Sequence, residues 1–148
     1  MERSLVLIKP DAIQRGLTGK IISRLERRGL KIVAMKMLHM DKALAQRHYA
    51  VHKGKAFFDN LVNFITSSPI IAIVLQGENA VELIRQMMGE TDPTEAHSGT
   101  IRGDFGIDIE HNLIHGSDSG ENASGEISLF FTEEEILDYD REIDKWIS

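Results

Sequence analysis

The sequence predicts an α+β fold, with four strands in one antiparallel sheet and helices packed on it. Three observations carry this. Apolar runs of strand length fall at residues 5–8, 30–37, 70–74 and 107–114, and segments with helical spacing lie between them. The order strand, helix, strand, helices, strand, helix, strand is that of a split βαβ sandwich with one helical layer on the sheet. A chain of 148 residues can bury a core as one domain, 1–148, and is far too short for an eight-stranded β/α barrel.

Each element has its own grounds. Residues 5–8, LVLI, form a buried strand ended by Pro10, which removes a backbone donor and biases Lys9 toward extended geometry at the strand terminus. Over residues 18–28, Ile21, Ile22 and Leu25 recur at helical spacing, Lys20, Arg24, Arg27 and Arg28 face elsewhere, and Gly29 supplies the stop. Residues 30–37 alternate apolar side chains with Lys31 and Lys36, as a strand does. Asp41 caps a helix running to Tyr49, and a second helix carries Phe57, Phe58, Leu61, Val62 and Ile65. Pro69 opens PIIAIVLQG, whose β-branched run at 70–74 reads as a strand buried on both faces. A helix follows over 79–88. Residues 89–106 hold Pro93 and four glycines and read as a long loop of a kind often functional. Residues 107–114 are the last strand, and Thr132 with Glu135 marks the capping box of a short C-terminal helix. The whole is a ferredoxin-like arrangement.

Composition excludes several classes of function. The chain has no cysteine, so disulfides, thiolate zinc sites and cysteine nucleophiles are all absent, which fits a reducing compartment. The first apolar run, four residues long, is too short for a signal sequence or a membrane span, so a cytoplasmic location is expected. A net charge of -6 has the wrong sign for extended nucleic-acid binding.

Several motifs fail on inspection. GDFG at 103–106 contains the Asp-Phe-Gly of protein kinases, but the chain lacks their glycine-rich and His-Arg-Asp loops. HYAVH sets His48 and His52 four apart on a helix, yet Tyr49 stands where a metalloprotease has glutamate, and the segment reads as a surface helix. The phosphate loop GxxxxGK[ST] does not occur. Arg24, Arg27 and Arg28 read as a solvated helix face. Lys9, Arg85 and Arg102 lie near element ends or in the glycine-containing segment, and their spacing leaves open whether they converge on an anion or stand apart.

The stretch NLIHGSDSGE at 112–121 also leaves two readings open. In one, His115 begins an ordinary strand-to-helix turn whose serine or aspartate caps the next helix. In the other, it stands at a strand end as a neutral imidazole, held on one nitrogen and nucleophilic at the other, with Gly116 admitting a large anion.

Taken together, KPDAIQRG (9–16), HY (48–49), FF (57–58), GETDP (89–93), GTIRGDF (99–105) and NLIHGSDS (112–119) closely resemble nucleoside diphosphate kinase, six blocks in the family's order. The resemblance implies transfer of the γ-phosphoryl group of a nucleoside triphosphate, mainly ATP, to a nucleoside diphosphate through a phosphohistidine, with ping-pong kinetics and broad base specificity. By block match His115 corresponds to the nucleophile, Asn112 to a ribose ligand, Ser117 to a residue beside the histidine, and Glu126 to a carboxylate that orients the site. Lys9, Tyr49, Arg85, Thr91 and Arg102 correspond to residues that engage phosphates or position the transferring group. Phe57 corresponds to the aromatic stacked on the base, with Leu61 beside it. The resemblance further implies Mg²⁺ carried on the nucleotide phosphates without a protein metal site, no membrane association, and a homo-oligomer, with a hexamer of dimer units favoured. Ala56, Val51 and Ser98 depart from the proline, acidic residue and proline usual at those positions. Gly120 and Gly125 fall in the helix that carries Glu126, where each costs about 1 kcal/mol relative to alanine in a helix interior.

Overall fold

The structure, a computed structural model, describes residues 1–147. Its sheet has the order β2-β3-β1-β4, from strands β1 (Glu2–Ile8), β2 (Lys31–Leu38), β3 (Ile70–Gly77) and β4 (Ile114–Gly116), and every neighbouring pair is antiparallel. Helices α1 (Pro10–Gln14), α2 (Thr18–Arg27), α3 (Lys42–His48), α4 (Phe58–Ile65), α5 (Ala80–Met88), α6 (Ile101–Phe105), α7 (Gly120–Phe130) and α8 (Asp144–Ile147) surround it.

The apolar residues of β1 alternate between two cores. Leu5 and Leu7 pack with Ala45, Tyr49, Val62, Ile65, Ile127 and Phe130 from the side of α3, α4 and α7. Val6 and Ile8 pack with Ala12, Ile21, Leu25, Ala80, Ile84, Met88 and Ile101 from the side of α1, α2, α5 and α6. Helices therefore cover both faces, which corrects the expectation of one helical layer. Uninterrupted apolar strands such as β1 and β3 require it, because an open face would leave half their side chains in water.

Four further expectations are corrected. Pro10 does end β1, but it also opens α1 at the first helical position, where a missing N–H costs nothing. The segment 89–106 is not all loop, since Thr100 Oγ1 accepts from Gly103 N at 3.0 Å and caps α6. Residues 107–113 are not strand. The partner β1 ends at Ile8, which pairs with Ile114, and the chain then leaves as α1, so anything before Ile114 has no ladder to join. Asp108 instead turns the chain by accepting from Glu110 N and His111 N, and Ile107 and Ile109 are exposed. The capping box of Thr132 and Glu135 is present, but it starts a single 3-10 turn, Glu133–Glu135, and no α-helix.

Register then places the site. His115 lies opposite Leu7, and its neighbours Ile114 and Gly116 lie opposite Ile8 and Val6. Strand alternation therefore puts His115 on the Leu7 face, toward α3 and α7, with its neighbours on the opposite face. The histidine is the middle residue of β4, not a residue at its end.

Candidate active site

Glu126 projects from α7 toward His115. Its Oε2 lies 3.0 Å from His115 Nε2, and its Oε1 accepts from Ser117 Oγ at 2.6 Å. Ser117 is fully buried and also accepts from Leu5 N at 3.1 Å, so its hydroxyl orients the carboxylate from a fixed point on β1. Burial opposes ionisation of Glu126, but the hydrogen bond and charge of His115, the Ser117 hydroxyl and His48 outweigh it and hold the carboxyl below its usual range. An ionised Glu126 accepts Nε2–H and leaves Nδ1 of His115 with the lone pair. Nδ1 has no hydrogen-bond partner among the described residues.

A second group forms around Asn112. Its Oδ1 accepts from Lys9 Nζ at 2.8 Å, its Nδ2 donates to Thr91 O at 3.0 Å, and its carbonyl accepts from Arg102 Nε at 3.2 Å. Arg102 further donates to Gly89 O and Ile114 O, so one guanidinium ties α6 to the end of α5 and to both sides of the 112–114 turn. Desolvation, then repulsion from Arg102, lowers Lys9 to about 8, with Asp11 opposing the shift. Desolvation, then Arg85, lowers Arg102 to about 10. Arg102 thus lies near enough to both Lys9 and Arg85 to repel them, and cations so placed favour an anion beside them. Arg85 and Thr91 line a cleft of about 360 Å³ with His97 and Thr100.

The backbone between the two groups is strained. Leu113 has φ of 75°, and Ile114 N donates to Asn112 O at 2.9 Å, a γ-turn that non-glycine residues seldom adopt. It is pinned from both sides, Leu113 N donating to Asp11 Oδ2 and Leu113 O accepting from Lys9 N. Burial pushes the Tyr49 phenol up to about 12. From there an aromatic chain runs outward, with ring centroids 6.4 Å apart from Tyr49 to His52 and 5.2 Å from His52 to Phe57. Phe57 is 46 % exposed, and Leu61 follows one helical turn later, half-buried.

The family model described as nucleoside diphosphate kinase matches residues 2–136. The chain belongs to the nucleoside diphosphate kinase family. Among its relatives, the nucleoside diphosphate kinase of Roseiflexus sp. (strain RS-1) is 56 % identical over 147 residues, 99 % of each chain. That of Dehalococcoides mccartyi (strain CBDB1) is 57 % identical over 141 residues, 95 % of this chain and 99 % of the other. Among solved structures, the halophilic enzyme of Halobacterium salinarum in complex with CDP superposes with a TM-score of 0.97 at 50 % identity, covering 99 % of this chain and 98 % of its own. The Babesia bovis family protein gives 0.97 at 40 % identity over the whole of both chains. Membership of the nucleoside diphosphate kinase family makes this chain a phosphotransferase.

Two readings of this family member from sequence need correction. HYAVH is no simple surface helix, because the His48 side chain is 1 % exposed and its ring lies edge-on to that of His115, centroids 4.8 Å apart. Burial, then His115, holds His48 well below the usual histidine range, with Glu126 opposing. The HY block contained the clue. Gly116 does not admit an anion: a Cβ there would lie 2.6 Å from Met88 Sδ, so the glycine lets α5 approach β4.

Proposed function

We propose that His115 Nδ1 is the phosphoryl acceptor, and that the enzyme exchanges phosphoryl groups between nucleoside tri- and diphosphates by a two-step route in one catalytic domain, 1–148. The observation that carries this is the pairing of His115 Nε2 with Glu126 Oε2 at 3.0 Å, which leaves the lone pair on the other nitrogen. In the first step Nδ1 forms a bond to the γ-phosphorus, the bond from that phosphorus to the β,γ-bridging oxygen breaks, and nucleoside diphosphate leaves. The ring becomes cationic while phosphorylated, and the Glu126 carboxylate balances that charge. An oxygen of the second nucleotide's terminal phosphate then attacks the same phosphorus and returns the lone pair to Nδ1.

Lys9, Arg85 and Arg102 balance phosphate charge, with Thr91 and the Tyr49 hydroxyl positioning the transferring group and Asn112 holding the ribose. Phe57 stacks on the base with Leu61 beside it. A stacking face reads no base edge, which supports broad specificity with ATP as main donor. The Halobacterium salinarum relative bound to CDP supports nucleotide diphosphates as ligands. Mg²⁺ suits this site as part of the substrate. The phosphate-facing side chains are cationic, and the one three-membered His/Asp/Glu group among the described residues is rich in nitrogen, whereas Mg²⁺ takes oxygen ligands. We further propose a cytoplasmic homo-oligomer, a hexamer of dimer units, without extended nucleic-acid binding. Among the described residues no helix is long and apolar enough to cross a membrane.

The test is incubation with γ-labelled ATP. The label is expected to be lost in acid and kept in base, and to be absent from His115→Ala. Acid-stable label on Ser117 or Ser119 would overturn the assignment. Double-reciprocal plots are expected to be parallel, and common nucleoside diphosphates to be accepted without a thousandfold preference.

A further inference from the structure

Behind the reactive nitrogen lies a second constellation. His48 from α3, His115 from β4 and Glu126 from α7 bring their ligand atoms within 4.8 Å of one another. Glu126 Oε2 is 3.0 Å from His115 Nε2 and 4.0 Å from His48 Nδ1. His48 is the unexplained member, since its Nδ1 is buried without any hydrogen-bond partner and 4.0 Å is too long for one to Glu126. A buried polar atom left unpaired in a native structure calls for a partner.

We propose that His48 Nδ1, His115 Nε2 and Glu126 Oε2 form an inhibitory site for Zn²⁺, which stops phosphoryl transfer by occupying Nε2 of the reactive histidine. Two imidazole nitrogens and a carboxylate are a zinc donor set, with water completing a tetrahedron. Ligand atoms bound tetrahedrally at about 2.1 Å stand about 3.4 Å apart. The two Glu126 separations, 3.0 and 4.0 Å, bracket that value, and the rings of His48 and His115, whose ligand atoms lie within 4.8 Å, turn toward the ion to close the third. His115, partly exposed, is the entry point.

The inhibition rests on His115 being the acceptor. A neutral imidazole has one ring proton. With zinc on Nε2 that proton moves to Nδ1, and the lone pair that would attack phosphorus is no longer there. No proton is released and no bond to phosphorus changes. Removal of zinc by a chelator returns the proton to Nε2 and restores the acceptor.

Binding is measured without turnover, by competition of the whole protein with a chromophoric zinc chelator and by ¹⁵N shifts of the ring nitrogens. Expected are one tight zinc per chain with perturbed His48 and His115 nitrogens, affinity lowered about tenfold or more in His48→Gln and in Glu126→Gln, and no such loss in His111→Ala. Exchange activity should fall in proportion to bound zinc, return on chelation and be indifferent to the order of magnesium addition. Zinc that leaves the His48 and His115 nitrogens of the wild type unshifted would overturn the proposal, and this reading needs no variant to fold. Undiminished affinity in a folded His48→Gln would overturn it equally. If zinc shifts both rings while the γ-label appears elsewhere than His115, the site stands and the acceptor assignment fails. If the label is on His115 and zinc does not bind there, the zinc site alone fails.

Discussion

Arg102 shows how one side chain can serve both architecture and charge. It is 6 % exposed and donates to the carbonyls of Gly89, Asn112 and Ile114, using three of its five N–H groups. The sequence places Arg102 in a segment that reads as a long loop, whereas the residue is buried in α6. Arg102→Ala leaves these carbonyls without their donor, so a loss of roughly 3 kcal/mol or more in denaturant unfolding is expected, together with a lower rate per folded molecule. Arg102→Lys should rescue little, because one ammonium cannot span three carbonyls. Unchanged stability in either variant would sink this account. Lys9 carries a pH dependence. Desolvation lowers it from 10.5 to about 8, so kcat/KM for nucleotide should fall as pH rises through about 8, and Lys9→Arg should move that limb upward. Between about 8 and 10.5 the unfolded chain holds a proton that the folded chain lacks. This group therefore makes stability increase with pH across the window, and its full cost is present below it. A rate profile flat to pH 9.5 would contradict the shift. At this scale Lys9, Asn112 and His115 stood out as candidates because their blocks are distinctive. His48 was not, because strand register, which is long-range, decides what its helix faces.

Among the elements, α7 combines the Glu126 carboxylate with two poor helix formers, Gly120 and Gly125. Gly125 has open space where a Cβ would stand and no positive φ, so nothing in the structure requires glycine there. Gly125→Ala is expected to stabilise by about 0.4–1 kcal/mol, read as a higher Tm, with the exchange rate nearly unchanged. A lower Tm would reveal a contact that the single chain does not show. Gly120 differs, since its Cβ would sit 3.2 Å from Glu2 Oε2, a carboxylate whose other oxygen accepts from Val81 N at the start of α5. The strands β1 and β3 were legible because their apolar runs are short, contain β-branched residues and are bounded by Pro10 and Pro69. IDIEHNLI was misread because alternation reports only which side chains could share a face, whereas a strand also needs a neighbour, and β1 ends too early to supply one. The helix α6 was hidden by Gly103 within it and by Gly99 and Gly106 on either side. Gly103 is there because a Cβ would come within 1.9 Å of His97 O, a contact invisible in local sequence.

In the molecule as a whole, β2 is one edge of the sheet and β4 the other. A bulge at Val33 frees its carbonyl, which accepts from Leu137 N at 2.8 Å, while Tyr139 Oη donates to Ile32 O and Lys31 Nζ donates to Tyr139 O. The tail's hydrogen bonds to the β2 backbone thus end at Val33, and farther along Glu135 holds only the Lys36 side chain at 3.1 Å. Met35 and Met37, 52 % and 60 % exposed, remain beyond it on one side of the strand. An apolar edge left open invites pairing. Sedimentation is expected to give a multiple of the single-chain mass, and Met35→Lys with Met37→Lys to reduce it. A wild-type monomer at micromolar concentration would end the argument. The strand order has another consequence, which concerns synthesis on the ribosome. β1 is the first of the four strands made and one of the sheet's two interior strands, flanked by β3 and β4. Its ladders close with residues 71–77 and 114–116, so the nascent chain carries Leu5, Val6, Leu7 and Ile8 unpaired until β3 has left the exit tunnel, and paired on one side only until β4 follows. During that interval the most hydrophobic part of the finished sheet is its most exposed, and a factor that shields emerging apolar segments has its target at the very residues that later fix the position of His115.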